Sequence, residues 1–383
     1  MILMDYRQGE LAKAANGFKE TNIPLISLHE GIYSVAGFSD DQGVYYFIPW
    51  IAKTFHISVE LATNLFFNFI LLLPVLVCIF CFFSIFKDLR SRLSITVVIG
   101  LLATYCAIDL YAFSFFAACT VLPLFIFLNE QEKLSQKMLL PIIAFSSIVI
   151  GYCNIMRSQA GTAIFLFLFF WLFLNQNLNA KKKGICLLTS LIFTLIPYLH
   201  FNYLEQQRDA FLQSNYPNYI PISASHPKWH AIFLGLSYIP NSYGINWEDE
   251  TAFKKAQSID KDVVYCSEKY EQILKEQCLL LIKKDPIFIL KNIFAKMGAI
   301  LLKILICANL GLFLIFYVQK SLRFHAPFLI ALAYSALPGL LVIPNNHYLR
   351  GLLTTSTLWG LYLLSLAIQK YQRKSIVQDV ALE

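Results

Sequence analysis

The chain has 383 residues, of which 57% are hydrophobic and only 14% charged, with a mean hydropathy of +0.58. One or two soluble cores cannot bury that much apolar surface, so lipid must solvate much of the chain. Its net charge of +7 comes from short Lys/Arg clusters between apolar runs, not from one basic stripe, which excludes nucleic acid as the partner and points to membrane topology.

The first 61 residues are polar by comparison with the rest of the chain and are expected to form an outer loop. They hold Asp5-Tyr6-Arg7-Gln8-Gly9-Glu10-Leu11-Ala12-Lys13-Ala14 and, about thirty residues on, Phe38-Ser39-Asp40-Asp41-Gln42-Gly43-Val44-Tyr45-Tyr46-Phe47-Ile48-Pro49-Trp50. A carboxylate beside the membrane surface could take the proton of an acceptor hydroxyl or amine, which is general-base work. Acids in a solvated loop also cap helices or simply stay hydrated.

Apolar runs of roughly 20 residues, the length that crosses about 30 Å of hydrocarbon as helix, come next. They lack the alternation of barrel strands. The expected spans are 62–86, 93–110, 112–128, 138–156, 161–177, 185–202, 297–318, 326–344 and 352–369. Their connections alternate in charge. One set carries Lys87, Arg90 and Arg92, then Lys133 and Lys137, then Lys181, Lys182 and Lys183, then Lys320 and Arg323, and finally the 370–383 tail with Lys370, Arg373 and Lys374. The positive-inside rule makes these cytoplasmic. Residues 1–61, the turn at Tyr111, the Arg157 segment, 203–296 and 345–350 then lie outside. This arrangement carries a polar N-terminal segment across, so a further apolar helix is expected upstream of Met1; the span at 62–86 pulling the N-terminus across unaided is the alternative.

Seven of the nine cysteines sit in apolar runs, where they read as small buried hydrophobes. Cys266 and Cys278 fall outside the membrane; on a helix between them they would stand about 18 Å apart at 1.5 Å per residue, too far for a disulfide. Within the membrane, Asp109 and Lys303 are isolated ionisable groups, suited to a proton or substrate route or to interhelical bonding and snorkelling.

The stretch 203–296 is too short for an independent domain with a deep core and is expected to be a helical lid on the membrane part. Ser267 is placed to cap a helix reaching Lys284, and Asp285-Pro286 to start another whose Phe288, Ile289, Phe294 and Met297 suit the membrane interface. Earlier in the same stretch, Trp229, Tyr243 and Trp247 could stack on sugar faces while His230, Asn246 and Asp249 read hydroxyls. His226 and His230 are four apart, but Pro227 disrupts the helix that would align them and no third ligand is spaced for zinc; no metal site is expected there. Ahead of the last span, Asn345-Asn346-His347-Tyr348-Leu349-Arg350 offers a planar guanidinium suited to phosphate oxygens, with His347 as a further donor. Arg and Tyr at a helix end also anchor to headgroups without any such role. Arg157 could serve the same phosphate.

An acid early in the first outer loop, an Ala-rich helix with a second acid, and an aromatic segment leading into the next span together resemble the first loop of the GT-C superfamily. The likeness is to bacterial members related to protein mannosyltransferases and lipid A aminoarabinose transferases, the family 39 type. That resemblance implies an all-α polytopic bundle of about nine transmembrane helices in the bacterial inner membrane, with its active site facing the periplasm. It also implies an inverting transferase that moves a sugar from a polyprenyl phosphate to a lipid, glycan or protein acceptor. Under it, Asp5 maps onto the catalytic acid, with Tyr6 where a paired acid would stand, and Glu10, Asp40 and Asp41 in support. Tyr348 and Arg350, in altered order, map onto an Arg-Tyr motif that with His347 and Arg157 would hold the donor phosphate; a divalent cation is an open question. A lipid-linked glycan transporter, which would show internal repeats and broken helices, and an O-antigen-type polymerase or ligase are the alternatives.

Overall fold

The computed structural model describes residues 5–37, 40–107, 110–130, 135–219, 228–265, 267–308, 310–318 and 321–380. Asp109, His226, Pro227 and Cys266 lie outside these, as do the side chains of Asp5 and Tyr6.

The N-terminal segment is ordered in a way its polarity does not predict. Helix α1 (Asp5–Thr21) is followed by a hairpin of β1 (Ile26–His29) and β2 (Ile32–Val35), then by α2 (Gln42–Phe55). His29 pairs with Ile32 across a two-residue turn. Glu30 and Gly31 both take the left-handed conformation, with φ of 49° and 79°, the mirror-image geometry that matches strand twist. This one hairpin stands beside the expected all-α bundle, because Ile26, Leu28, Ile32 and Val35 are β-forming residues flanking a glycine turn. Gly17 lets α1 lie directly on the β1 backbone, since a Cβ there would overlap the Ile26 carbonyl.

Helices α3 (Val59–Ile85), α4 (Leu89–Cys106), α5 (Ala112–Glu130), α6 (Ser135–Met156), α7 (Thr162–Leu174) and α8 (Ala180–Asn215) form the first part of an all-helical bundle. Their starts follow from capping side chains. Ser58 accepts the Leu61 N–H at 3.2 Å, Asp88 accepts that of Ser91 at 2.8 Å, and Asn179 accepts that of Lys182 at 2.9 Å, each satisfying a donor the helix itself leaves open. Helix α8 does not stop at the end of its apolar run. It continues unbroken to Asn215, where Phe211 meets Tyr33 edge-on and the Tyr216 hydroxyl accepts the Tyr33 N–H at 2.9 Å. The buried spacing Phe201, Leu204, Arg208, Leu212 and the lack of any breaker carry it on.

Beyond it, α9 (Lys228–Gly235), a 3-10 turn (Leu236–Tyr238), α10 (Asp249–Gln257) and α11 (Glu268–Lys284) enclose a small core of their own, centred on Phe233, Ala252, Tyr270 and Leu274. Ser267 caps α11 through the Tyr270 N–H at 3.2 Å, and Asp285 accepts the Phe288 N–H at 3.0 Å at the start of α12 (Pro286–Ala308). Short α13 (Leu310–Phe313) and α14 (Ile315–Val318) precede α15 (Leu322–Leu341) and α16 (Arg350–Val380).

Seven of the described helices, α3, α4, α5, α6, α8, α15 and α16, have a stretch long and apolar enough to cross a membrane. The chain is a multi-pass helical membrane protein. Of the other two expected spans, 161–177 holds a helix of 13 residues, about 20 Å at 1.5 Å per residue, and 297–318 contains a turn at Leu314 between α13 and α14. Just before that turn, Gly311 crosses Gly360 of α16 so closely that a Cβ on it would meet the Gly360 backbone, and a Cβ on Gly360 would meet that of Ala308. Helices α5 and α16 form the centre of the bundle, each 78% buried over its apolar window. The two sets of connections lie at opposite ends: Phe86, Glu130 and Phe324 meet around Tyr362 at one, and the candidate residues gather at the other.

Candidate functional site

The turn before α2 sends two adjacent carboxylates in different directions. Asp41 occupies the N-cap position of α2 without making the side-chain cap; its carboxylate instead pairs with Arg7 on α1. It is fully buried, and its second oxygen, Oδ1, has no hydrogen-bond partner. Burial pushes the carboxyl up to about 6, against the pull of Arg7. One turn on, Tyr45 is buried beside it, its phenol raised first by burial and then by Asp41.

Asp40 faces the other way and pairs with Arg157. The Ser158 N–H also donates to the Asp40 carbonyl at 2.8 Å, so backbone and side chain both tie the first loop to the α6–α7 connection. That connection is tight because the Asn154 amide oxygen accepts the Gly161 N–H at 2.7 Å and Gln159 adopts a φ of 67°. Arg157 donates to the Tyr111 hydroxyl at 2.7 Å. Burial opposes the Arg157 charge, but Tyr111 and Asp40 outweigh it and raise the pKa.

Tyr111 links this pair to the last connection, with ring centroids 5.5 Å from Tyr348 and 6.3 Å from His347. Burial raises the Tyr348 phenol, with Arg157 acting against it. Trp247, 41% exposed, approaches Tyr348 edge-on at 6.5 Å. Alongside lies a cleft of about 380 Å³, part of it open solvent, lined by Ser114, Gln159, Tyr334, Ser335, Tyr348 and Gly351. Asp40, Arg157, Tyr111, His347, Tyr348 and Trp247 therefore meet at one place, with Asp41, Arg7 and Tyr45 behind them.

Other candidates stand elsewhere. Arg350 is buried, donates to the Tyr105 carbonyl at 3.0 Å and lies over the Tyr105 ring, at the end of α4. Glu10 pairs with Lys13 at 2.7 Å along α1. His230 binds the Tyr270 hydroxyl at 2.6 Å and Asp249 at 3.1 Å. Trp229 and Tyr243 pack on the α9–α11 core, the Tyr243 hydroxyl donating to Asp285 at 2.8 Å. Asn246 donates to Glu248 at 3.2 Å. Lys303 reaches Asn346, so its ammonium is met at the end of the bundle. Among the described residues no three His, Cys, Asp or Glu side chains are grouped to hold a metal, and the Asp40–Asp41 pair does not fit a divalent cation because each carboxylate is turned to a different arginine.

Arg7 and Tyr111 were not singled out by sequence. Tyr111 occupies the shortest connection between expected spans, where a polar aromatic is forced to the bundle end; Arg7 carries no such signal. The chain matches none of the known protein families, curated proteins or solved structures with which it was compared.

Proposed function

We propose that the chain is a GT-C-type glycosyltransferase that moves a sugar from a polyprenyl phosphate to an acceptor at the outer face of a bacterial inner membrane. The observation that carries the reading is the convergence of Asp40 from the first loop with Arg157 and the Tyr111–His347–Tyr348 group, from connections far apart in sequence. A base beside a cluster of cation and hydroxyl donors is what inverting transfer requires.

In this scheme an acceptor hydroxyl gives its proton to a first-loop carboxylate while its oxygen attacks the anomeric carbon. The bond from that carbon to the phosphate oxygen breaks, and the departing charge is met by Arg157, Tyr111 and Tyr348. Asp40 and the donor phosphate compete for one guanidinium, so donor binding frees the Asp40 carboxylate for its task. Trp247 stacks on the sugar beneath the α9–α11 lid.

The test is transfer of a labelled polyprenyl-phosphate sugar by purified protein, with donor affinity measured separately. Asp40→Asn lowers turnover by about 10²-fold or more and leaves the donor bound. If Asp5→Asn has that effect and Asp40→Asn does not, the base is at the start of α1. Normal transfer by Asp5→Asn, Asp40→Asn and Asp41→Asn alike refutes the enzyme. The rival, a lipid-linked glycan transporter, has as its signature movement of the glycan between leaflets without cleavage of the sugar phosphate bond.

A further inference from the structure

Lys296 is 2% exposed, and among the described residues no hydrogen bond or ion pair engages its ammonium. An unpaired ammonium on a side chain this buried is costly, so its retention calls for a reason. Its place is set by its neighbours on the inner face of α12. Four residues earlier, the Asn292 amide donates to the Leu236 carbonyl at 2.8 Å, reaching the α9–α11 unit. Four residues later, Ile300 lies against Gly339 of α15, where Leu349 also packs. Lys296 thus stands on α12 between a contact with the α9–α11 unit and a contact with α15, where Pro338, the neighbour of Gly339, lines the Tyr348 cleft.

A second observation concerns charge. From Pro286 to Gln378 the sequence has no Asp or Glu. Lys303, the next cation along α12, is met by a neutral oxygen, the Asn346 amide. Arg157, across the cleft, is already matched by Asp40. No acid of α12, α15 or α16 up to Gln378 therefore stands near Lys296 in sequence.

We propose that Lys296 is the anchoring cation for a phosphate group seated between the lid and the α15–α16 connection. The proposal deepens the transferase reading, by giving its donor phosphate a cation not already paired, and rests on it only for the choice of probe. An ammonium suits this role because it serves any phosphate oxygen as a point charge.

The experiment measures binding of a short-chain prenyl monophosphate to purified full-length protein in detergent, without acceptor, alongside inorganic phosphate and alongside nanodiscs of anionic or zwitterionic lipid. Lys296→Met weakens prenyl phosphate at least tenfold and melts no lower than the parent, because an apolar side chain of similar size replaces an unpaired charge. Lys296→Gln, which keeps a polar end, loses affinity equally. Protection of the parent by inorganic phosphate identifies the bare anion as sufficient; protection only by anionic nanodiscs, with no binding of either free phosphate, assigns the charge to bulk lipid and overturns the proposal. It is also overturned if both variants keep the parent's affinity, or if Lys296→Met melts well below the parent while Lys296→Gln binds normally, since the lysine would then serve the fold alone. Binding through Lys296 without any transfer would refute the enzyme and leave this site standing, whereas normal binding and transfer by both variants would refute the site alone.

Discussion

The tie between Asp40 and Arg157 bears the greatest weight, and a double-mutant cycle measures it. The two side chains are 11% and 13% exposed, so the pair is largely desolvated but not sealed. Removing one partner of a fully buried pair costs about 3–5 kcal/mol; partial access to water brings this to roughly 2–3 kcal/mol for each single change. Asp40→Asn leaves Arg157 its bond to Tyr111, while Arg157→Met leaves a carboxylate unpaired. The double variant has no stranded charge and should cost only about as much as one single change, a coupling of about 2 kcal/mol. The Ser158–Asp40 backbone bond survives every variant, so the loops stay joined and the cycle isolates the side-chain charges. Reversible unfolding of the purified protein in mixed micelles, at fixed ionic strength, supplies the four free energies. Additivity within about 0.5 kcal/mol would refute the claim that this pair binds the first loop to the α6–α7 connection.

Two more outcomes are expected from the same geometry. A cysteine at the exposed Ser258 should react on intact cells with a membrane-impermeant thiol reagent and one at the exposed Ala180 should not, measured against the parent's own labelling; the reverse pattern overturns the orientation. Because the Asp41 carboxyl is held at about 6 against an ordinary 3.8, the native chain keeps its proton where the unfolded chain has lost it. Stability should therefore fall as pH rises from about 4 to about 6, by up to roughly 3 kcal/mol at about 1.4 kcal/mol per pH unit, and Asp41→Asn should remove that slope in unfolding measured across this range; an unchanged slope would show that Asp41 is not the titrating group.

The sequence by itself determined the elements whose cause is local. Apolar runs near 20 residues become helices because every backbone group must be satisfied within the segment when lipid is the solvent. Ser267 and Asp285 cap their helices because the donors they satisfy lie only three residues away. What tertiary structure alone decided is partnership. Asp40 and Asp41 are neighbours in sequence, yet one meets Arg157 and the other Arg7, because the turn before α2 points them to opposite sides and only packing brings α1 and α6 there. Arg350, which reads as a phosphate ligand, is drawn to the carbonyl end of α4, and His230 is drawn into the core beside Tyr270. Lys296 looks like any lysine near a helix start, and nothing in its flanking residues separates it from Lys291. Its burial is a matter of packing around α12, where Asn292 reaches the Leu236 carbonyl, and no local pattern encodes such long-range contacts.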